Sequence, residues 1–304
     1  MPLVTTKTLF AWAAKNNKAL CAFNINNLEG VIAVTETADE MKLPIILQVS
    51  KASRSYAHML YFRKLVEAAC ACTKIPIALH LDHGDSFEIC RECIDNGFTS
   101  VMIDGSALPF DENIALTKKV VDYAKPRGVN VEGELGELAG IEDDVQSEVS
   151  HFTNPATVKE FVRKTGVTSL AVSVGTSHGA HKFKPGTDPK LRLDILAAIQ
   201  KEIPNIPLVL HGASSVTAAD VQTINLFGGK IENAAGIPES EIAKTIPFGV
   251  RKINIDSDIR LAFTASIRKY FCQFPSHFDP RQYLKPAREH VKEIVKRKLE
   301  FFTK

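Results

Sequence analysis

Short aliphatic runs alternate along this chain with longer stretches in which apolar residues recur at helical spacing. The runs cover 19–24, 44–50, 77–82, 100–104, 130–134, 169–174, 207–211 and 251–255. Their ends lie 22 to 44 residues apart, room each time for a loop, a helix and the next strand. Helical periodicity is plainest over 29–41, 86–96 and 113–125. Most runs are apolar at nearly every position rather than at every second one, as strands covered on both faces are. Eight such units predict an α/β fold, a closed parallel (β/α)8 barrel (TIM barrel). An open doubly wound sheet would carry a glycine-rich phosphate turn after its first strand. Here that turn reads Asn24-Ile25-Asn26-Asn27-Leu28-Glu29-Gly30, which does not fit. Asp85 or Ser86, and Asp111, are expected as N-caps, and Gly97 as a helix stop. Residues 275–304 read as C-terminal helices, broken by Pro275, Pro280 and Pro286 and appended to one catalytic domain spanning 1–304.

Composition narrows the function without altering this picture. The chain has 304 residues, 45% hydrophobic and 24% charged, with a formal net charge of +2. No basic stripe with interleaved aromatics offers itself to nucleic acid, and Lys296-Arg297-Lys298 reads as a solvated helix face. No segment has the apolar length of a membrane span, and the start of the chain has no signal-peptide core. A cytoplasmic protein is expected, its six cysteines reduced. Cys90-x-x-Cys93 lies on an amphipathic stretch with no second pair at zinc-ribbon spacing, so it reads as core packing.

The chemistry gathers where a barrel puts it, at the C-terminal ends of the strands. Read in order, those ends are Asn24, Ser50, Asp82-His83, Asp104, Glu134, His178, His211 and Asn254 to Asp256. Imidazoles from three strands can hold one divalent metal and leave a position open. Taken alone, Asp82 could be a helix cap and His83 a loop histidine. Two further strand-end histidines argue against that. Asp82 beside His83 offers a general acid/base next to the metal. Asp104 and Glu134 could orient the ligand histidines or bind metal themselves, although Asp104 alone reads equally well as a cap. His80 lies within its strand and reads as a satisfied core side chain, His181 follows His178 too closely, and His58, His151, His277 and His290 lack supporting context. Small-residue loops follow the sixth and seventh strands at Gly175 to Gly179 and Gly212 to Ser215, and Ser257 follows the eighth. Such backbone can cradle a phosphate, though tight turns need small residues anyway. The acidic segment 135–153, with Gly136 and Gly140, is a candidate lid or a solvated loop.

The order of these motifs resembles the class II, metal-dependent fructose-bisphosphate aldolases, in their shorter bacterial-type branch. The resemblance runs through Ala22-Phe23-Asn24, Leu79-His80-Leu81-Asp82-His83-Gly84 and Gly97 to Asp104. It continues through Glu132-Gly133-Glu134-Leu135-Gly136, Gly140-Ile141-Glu142-Asp143 and Gly175 to Gly179, and ends with His211-Gly212-Ala213-Ser214 and Lys252 to Asp256. It implies reversible cleavage of fructose 1,6-bisphosphate to dihydroxyacetone phosphate and glyceraldehyde 3-phosphate through a zinc-stabilised enediolate. It further implies that His83, His178 and His211 bind the catalytic Zn2+, with Asp104 and Glu134 shaping a second divalent position. Asp82 would act on the C4 hydroxyl, and Glu142 on the proton beside the ketone. Gly179, Gly212, Ser214, Asn254, Asp256 and Ser257 would surround the triose-phosphate end, with a monovalent cation (Na+ or K+) near Gly179 and Gly212. Asn24 and Ser50 would also line the substrate site. Arg260 would reach the far phosphate of a neighbouring subunit, so a homodimer or higher homo-oligomer is implied. One segment departs from the family pattern: Ser50-Lys51-Ala52-Ser53 lacks the glycine two residues after the serine.

Other chemistries compete. A Schiff-base aldolase needs a lysine, and the sixth strand end, Ala171 to Val174, has none. Tagatose-bisphosphate aldolase would use the same residues. A metal hydrolase on this fold would place His-x-His on the first strand, where Phe23-Asn24-Ile25-Asn26 stands. A catalytically inert binding barrel would show some loss among these residues, and none is visible.

Overall fold

A computed structural model describes residues 3–137, 151–177, 179, 189–232 and 234–304 in full, and residues 140–142 and 145–147 as backbone. The eight expected strands all form. They are β1 (Leu20–Asn24), β2 (Ile45–Ser50), β3 (Ile77–Gly84), β4 (Ser100–Ile103) and β5 (Asn130–Leu135), then β8 (Ser169–Val172), β9 (Leu208–Leu210) and β10 (Val250–Ile255). They pair in that order, all parallel, and β10 returns to β1 to close the ring. Two short antiparallel strands, β6 (Gly140–Glu142) and β7 (Val145–Ser147), form a hairpin inside the segment read as a lid or loop.

Alternation along the strands sorts the side chains. Outward residues such as Phe23, Leu47, Leu79 and Val101 merge with the inner faces of the surrounding helices into one buried core. Those helices include α2 (Leu28–Met41), α4 (Met59–Cys72), α5 (Phe87–Asp95), α6 (Phe110–Ala124), α7 (Pro155–Thr165) and α8 (Leu193–Glu202). Inward residues fill the barrel in layers. The lowest holds Leu20, Ala22, Ile46 and Ala78, plugged by Leu9, Phe10 and Ala13 of α1 (Thr6–Asn16). The Thr6 hydroxyl donates to Ser100 Oγ (3.1 Å) and the Lys7 N–H to Asn130 Oδ1 (2.8 Å), fixing the plug to the strand starts. Cys90 and Cys93 are buried in the core against β4, as the helical reading expected, and burial pushes the Cys93 thiol up to about 12.

Two expectations about helix boundaries change. Ser86 caps α5 and Gly97 ends it in the left-handed region, but Asp111 caps nothing. The N-cap position of α6 is Pro109, and Asp111 lies in the first turn, where its carboxylate faces the positive end of the helix dipole. The C-terminal prolines break less than expected. After α9 (Ala218–Leu226), α10 (Glu239–Ala243) and α11 (Ser257–Gln273), one helix, α12, runs from Pro280 to Phe302. Pro280 takes the first position, where a missing N–H costs nothing, and Pro286 sits inside the helix. Burial of Val291, Val295 and Leu299 in the main core outweighs the single hydrogen bond Pro286 cannot donate. The end of α12 is stapled to the first strand. Ala19 N–H donates to Phe302 O (2.9 Å), and the Thr303 hydroxyl donates to Ala19 O (2.8 Å). Among the described residues, no helix is long and apolar enough to cross a membrane.

His290 on α12 has a partner its sequence context did not show, Asp220 of α9, 3.1 Å away. The hydrogen bond to that carboxylate raises the histidine above its ordinary value, against the opposing effect of burial. A raised value stabilises the fold fully below the unfolded value of about 6.5 and ceases to do so as pH climbs through the folded value. His290→Gln is expected to cost about 0.5 kcal/mol near pH ~5.5 and next to nothing near pH ~9. Urea melts at the two pH values check it; an equal loss at both would contradict the pairing.

Candidate active site

On a regular strand Ala78, His80 and Asp82 would face inward and His83 outward. The pairing of β3 with β4 slips between Leu81 and Gly84, a bulge that re-aims the chain. His83 sits there at φ +47°, a left-handed conformation that costs a histidine on the order of 1 kcal/mol. The turn carries both Asp82 and His83 to the mouth of the barrel. Gly84 makes it possible, because a Cβ at that position would lie 2.6 Å from the Met102 carbonyl oxygen.

Three amides hold the Asp82 carboxylate. Asn24 Nδ2 donates to Oδ2 (2.9 Å), Gln48 Nε2 donates to Oδ2 (3.0 Å), and Asn254 Nδ2 donates to Oδ1 (3.0 Å). Beside it, His83 Nε2 and His211 Nδ1 stand 2.7 Å apart. Two lone pairs cannot face each other at that distance; a proton or another cation must lie between them. On the far side of each ring a carboxylate takes the other N–H. His83 Nδ1 meets Asp104 Oδ2 at 3.0 Å, with Glu134 at 3.9 Å, and His211 Nε2 meets Glu132 Oε1 at 2.9 Å. We assign the tautomers from these partners: both rings turn a nitrogen toward the shared point.

Glu132 is itself held from below. The ammonium of Lys252, fully buried, lies 3.0 and 3.2 Å from its two oxygens and 3.2 Å from His80 Nε2. His80 Nδ1 reaches Ser100 Oγ at 2.8 Å. Burial and the adjacent Lys252 charge keep His80 well below its ordinary value, so it is neutral and accepts from the lysine. It is the satisfied interior histidine expected from its place in the strand.

The electrostatics above this layer call for a cation. Burial alone would lower His83, but the Asp104 hydrogen bond and the nearby Asp82 and Glu134 carboxylates raise it to about 10. Burial, with Asp104 as a negative neighbour, pushes Glu134 well above its ordinary value. Among the described residues, Glu134 Oε2 is buried without a hydrogen-bond partner. Asp82, His83 and His211 can converge on one ion, and His83, Asp104 and Glu134 on another position. Imidazole nitrogens with carboxylate oxygens suit zinc and its transition-metal neighbours better than magnesium or calcium.

Around this point stand the residues expected to meet phosphate. Gly212 follows the strand of His211 at φ +61°; a Cβ there would lie 2.4 Å from the Ser177 carbonyl oxygen, so glycine lets the loops after β8 and β9 touch. Ser214 and Ser257 are buried close by, and Ser214 Oγ accepts from the Asp256 N–H (3.4 Å). The Asp256 carboxylate takes both arms of Arg260, at 2.8 and 2.6 Å, and so aims that guanidinium. Arg260 lines a surface cavity of about 380 Å³ with Asn26, Ser53 and Tyr56. The Ser50 hydroxyl accepts from the Ser53 N–H and caps α3 (Lys51–Tyr56). Gly179 is left-handed at φ +78°. His178, the third expected metal ligand, lies outside the described residues, and Glu142 is described only as backbone at the end of β6.

Sequence reading passed over Gln48, Glu132 and Lys252 as working residues. Each is a polar side chain at an inward position; Gln48 breaks an apolar run and that mismatch was the available signal, whereas β5 and β10 carry further polar residues among which Glu132 and Lys252 do not stand out.

Comparison with known proteins agrees with this geometry. The family described as fructose-bisphosphate aldolase class-II matches residues 4–304. A fructose-bisphosphate aldolase of Treponema pallidum is 50% identical over 313 residues, covering 97% of this chain and 94% of its own. Another, from Giardia intestinalis, is 47% identical over 99% of this chain and 93% of its own. Among solved structures, the YdjI aldolase of Escherichia coli K12 superposes with a TM-score of 0.79 at 27% identity, over 99% of this chain and 97% of that one.

Replacing Glu132 by Gln removes the charge facing Lys252 and one of the two acceptor oxygens that His211 and Lys252 share. Metal affinity, measured by competition with a chromophoric chelator, is expected to fall roughly tenfold to hundredfold. Urea unfolding of the metal-free protein is expected to show a loss of about 3 kcal/mol. Unchanged affinity would remove Glu132 from the site.

Proposed function

The chain belongs to the class-II fructose-bisphosphate aldolase family, a metal-dependent family of lyases, and from that premise we propose which of its residues do the work. The reaction is the reversible cleavage of fructose 1,6-bisphosphate to dihydroxyacetone phosphate and glyceraldehyde 3-phosphate. The reading takes residues 1–304 as one catalytic domain acting in the cytoplasm.

His83, His178 and His211 hold the catalytic ion, which we take to be Zn2+ from the donor set, and Asp104 with Glu134 offers a second divalent position. When bound, such an ion supplies Lewis-acid polarisation of the ketose carbonyl, an effect on the order of several kcal/mol. Asp82 takes the proton from the C4 hydroxyl as the C3–C4 bond breaks and the electron pair moves toward the neighbouring carbonyl. Its three amide donors hold it as an oriented carboxylate ready for that proton. Glu142 returns a proton to C3. Gly179, Gly212, Ser214, Asn254 and Ser257 surround the phosphate of the dihydroxyacetone half, with a Na+ or K+ ion near Gly179 and Gly212. Asn24 and Ser50 line the substrate cleft. Arg260, aimed by Asp256, serves the distal phosphate of a neighbouring copy, which makes the working protein a homodimer or larger.

The observation that carries this reading is the convergence of His83 Nε2 and His211 Nδ1 beside an amide-clamped Asp82. Dialysis against a chelator is expected to abolish cleavage and zinc to restore it, while borohydride with substrate traps no covalent adduct. A trapped adduct, or full activity in a protein shown to be metal-free, would overturn the reading. Asp82→Asn keeps the shape and loses the base. Its kcat is expected to fall about 10²- to 10⁴-fold, with zinc content unchanged by metal analysis.

A further inference from the structure

A second buried lysine lies behind the phosphate side of the site, on an element the reaction does not use. Lys298 of α12 has no exposure to water, so the run Lys296-Arg297-Lys298 is not the solvated face expected from the sequence. Its ammonium lies 2.6 Å from Asp258 Oδ2 and 3.0 Å from Glu239 Oε1, and it donates to the Ser215 hydroxyl. Asp258, in the first turn of α11, is also fully buried. It accepts two consecutive backbone N–H groups from the segment that leaves β9, Ser215 to Oδ2 (3.0 Å) and Val216 to Oδ1 (2.7 Å). Val216 sits at φ +52°, an uncommon and strained conformation for a β-branched residue. Arg297, next to Lys298, donates to the Thr217 hydroxyl (3.0 Å). Two cations of the C-terminal helix thus hold the back of residues 215–217, whose front continues into Gly212, Ala213 and Ser214.

We propose that Lys298 is a positioning residue for the phosphate loop: through Asp258 it holds residues 215 and 216 in a strained shape that presents Gly212 to Ser214 to the phosphate of the dihydroxyacetone half. This rests on the substrate reading above. A buried ammonium is costly to desolvate, and apolar packing would serve stability alone as well. What an ammonium adds here is a fixed counter-charge for Asp258, so that the carboxylate keeps both N–H groups. Lys298 touches no reacting atom, so its removal acts on binding of one substrate half and spares the chemical step.

The test uses Lys298→Met in the full-length zinc-loaded enzyme, assayed in the condensation direction. KM for dihydroxyacetone phosphate is expected to rise about tenfold, with KM for glyceraldehyde 3-phosphate, kcat and zinc content changed by less than about twofold. Affinity for inorganic phosphate, measured by calorimetry, falls by the same factor. Asp258→Asn gives the same signature, and combining the two adds little because both act through one contact. If Lys298→Met does not fold, Asp258→Asn alone decides. The proposal fails if both triose KM values move together, or if neither moves while thermal stability drops. Failure of the substrate reading shows separately, as absence of cleavage by the unmodified enzyme, and phosphate calorimetry on the two variants then still decides whether Lys298 shapes the loop.

Discussion

An ammonium group with no access to water lies in the middle of the barrel, and the site above it depends on how that charge is met. Lys252 has three partners there, the two oxygens of Glu132 and the ring of His80. A buried pair of this kind gives little net stability, because desolvation consumes most of the attraction. What it provides is direction. Glu132 cannot turn away from Lys252 without leaving a bare charge in an apolar interior, so its free edge stays aimed at His211. The orientation of one imidazole of the cleft is set two side chains down, by a charge buried in the barrel.

The upper layer adds a second constraint of a different kind. His83 reaches the cleft only because β3 bulges, and the bulge is tolerated because Gly84 has no side chain. Strain at His83 and close approach at Gly84 are local costs, offset by the pairing of the rest of β3 with both neighbours. The result places a carboxylate and an imidazole from adjacent residues on the same side of a strand, which regular alternation forbids.

Much of this was legible in the sequence because parallel barrel strands are apolar on both faces. The eight runs announce themselves, and the ends of those runs name Asp82, His83, Asp104, Glu134 and His211. Gln48 broke an apolar run and could have been noticed, but Glu132 and Lys252 escaped notice because β5 and β10 mix polar and apolar residues, and only ring closure decides which of them point in. The slip at His83 is a property of two paired strands, so no reading of one of them could show it. Asp111 has a cap's chemistry, but the helix begins earlier, at Phe110 after Pro109, and leaves it in the first turn. Pro286 has a breaker's chemistry, but a long apolar face on α12 overrode it.

The seam that closes the ring joins segments made far apart in time. β1 gains its second neighbour only when β10 exists, and the backbone of Ala19, at its threshold, pairs with Phe302 and Thr303. On the ribosome, the first strand therefore waits with one edge bare until almost the whole of the described chain has been synthesised. Such a strand is a template for pairing with the wrong chain. The plug helix α1, made just before it, lies against the apolar floor of the closed barrel. The order of synthesis thus makes the cover before the surface it covers.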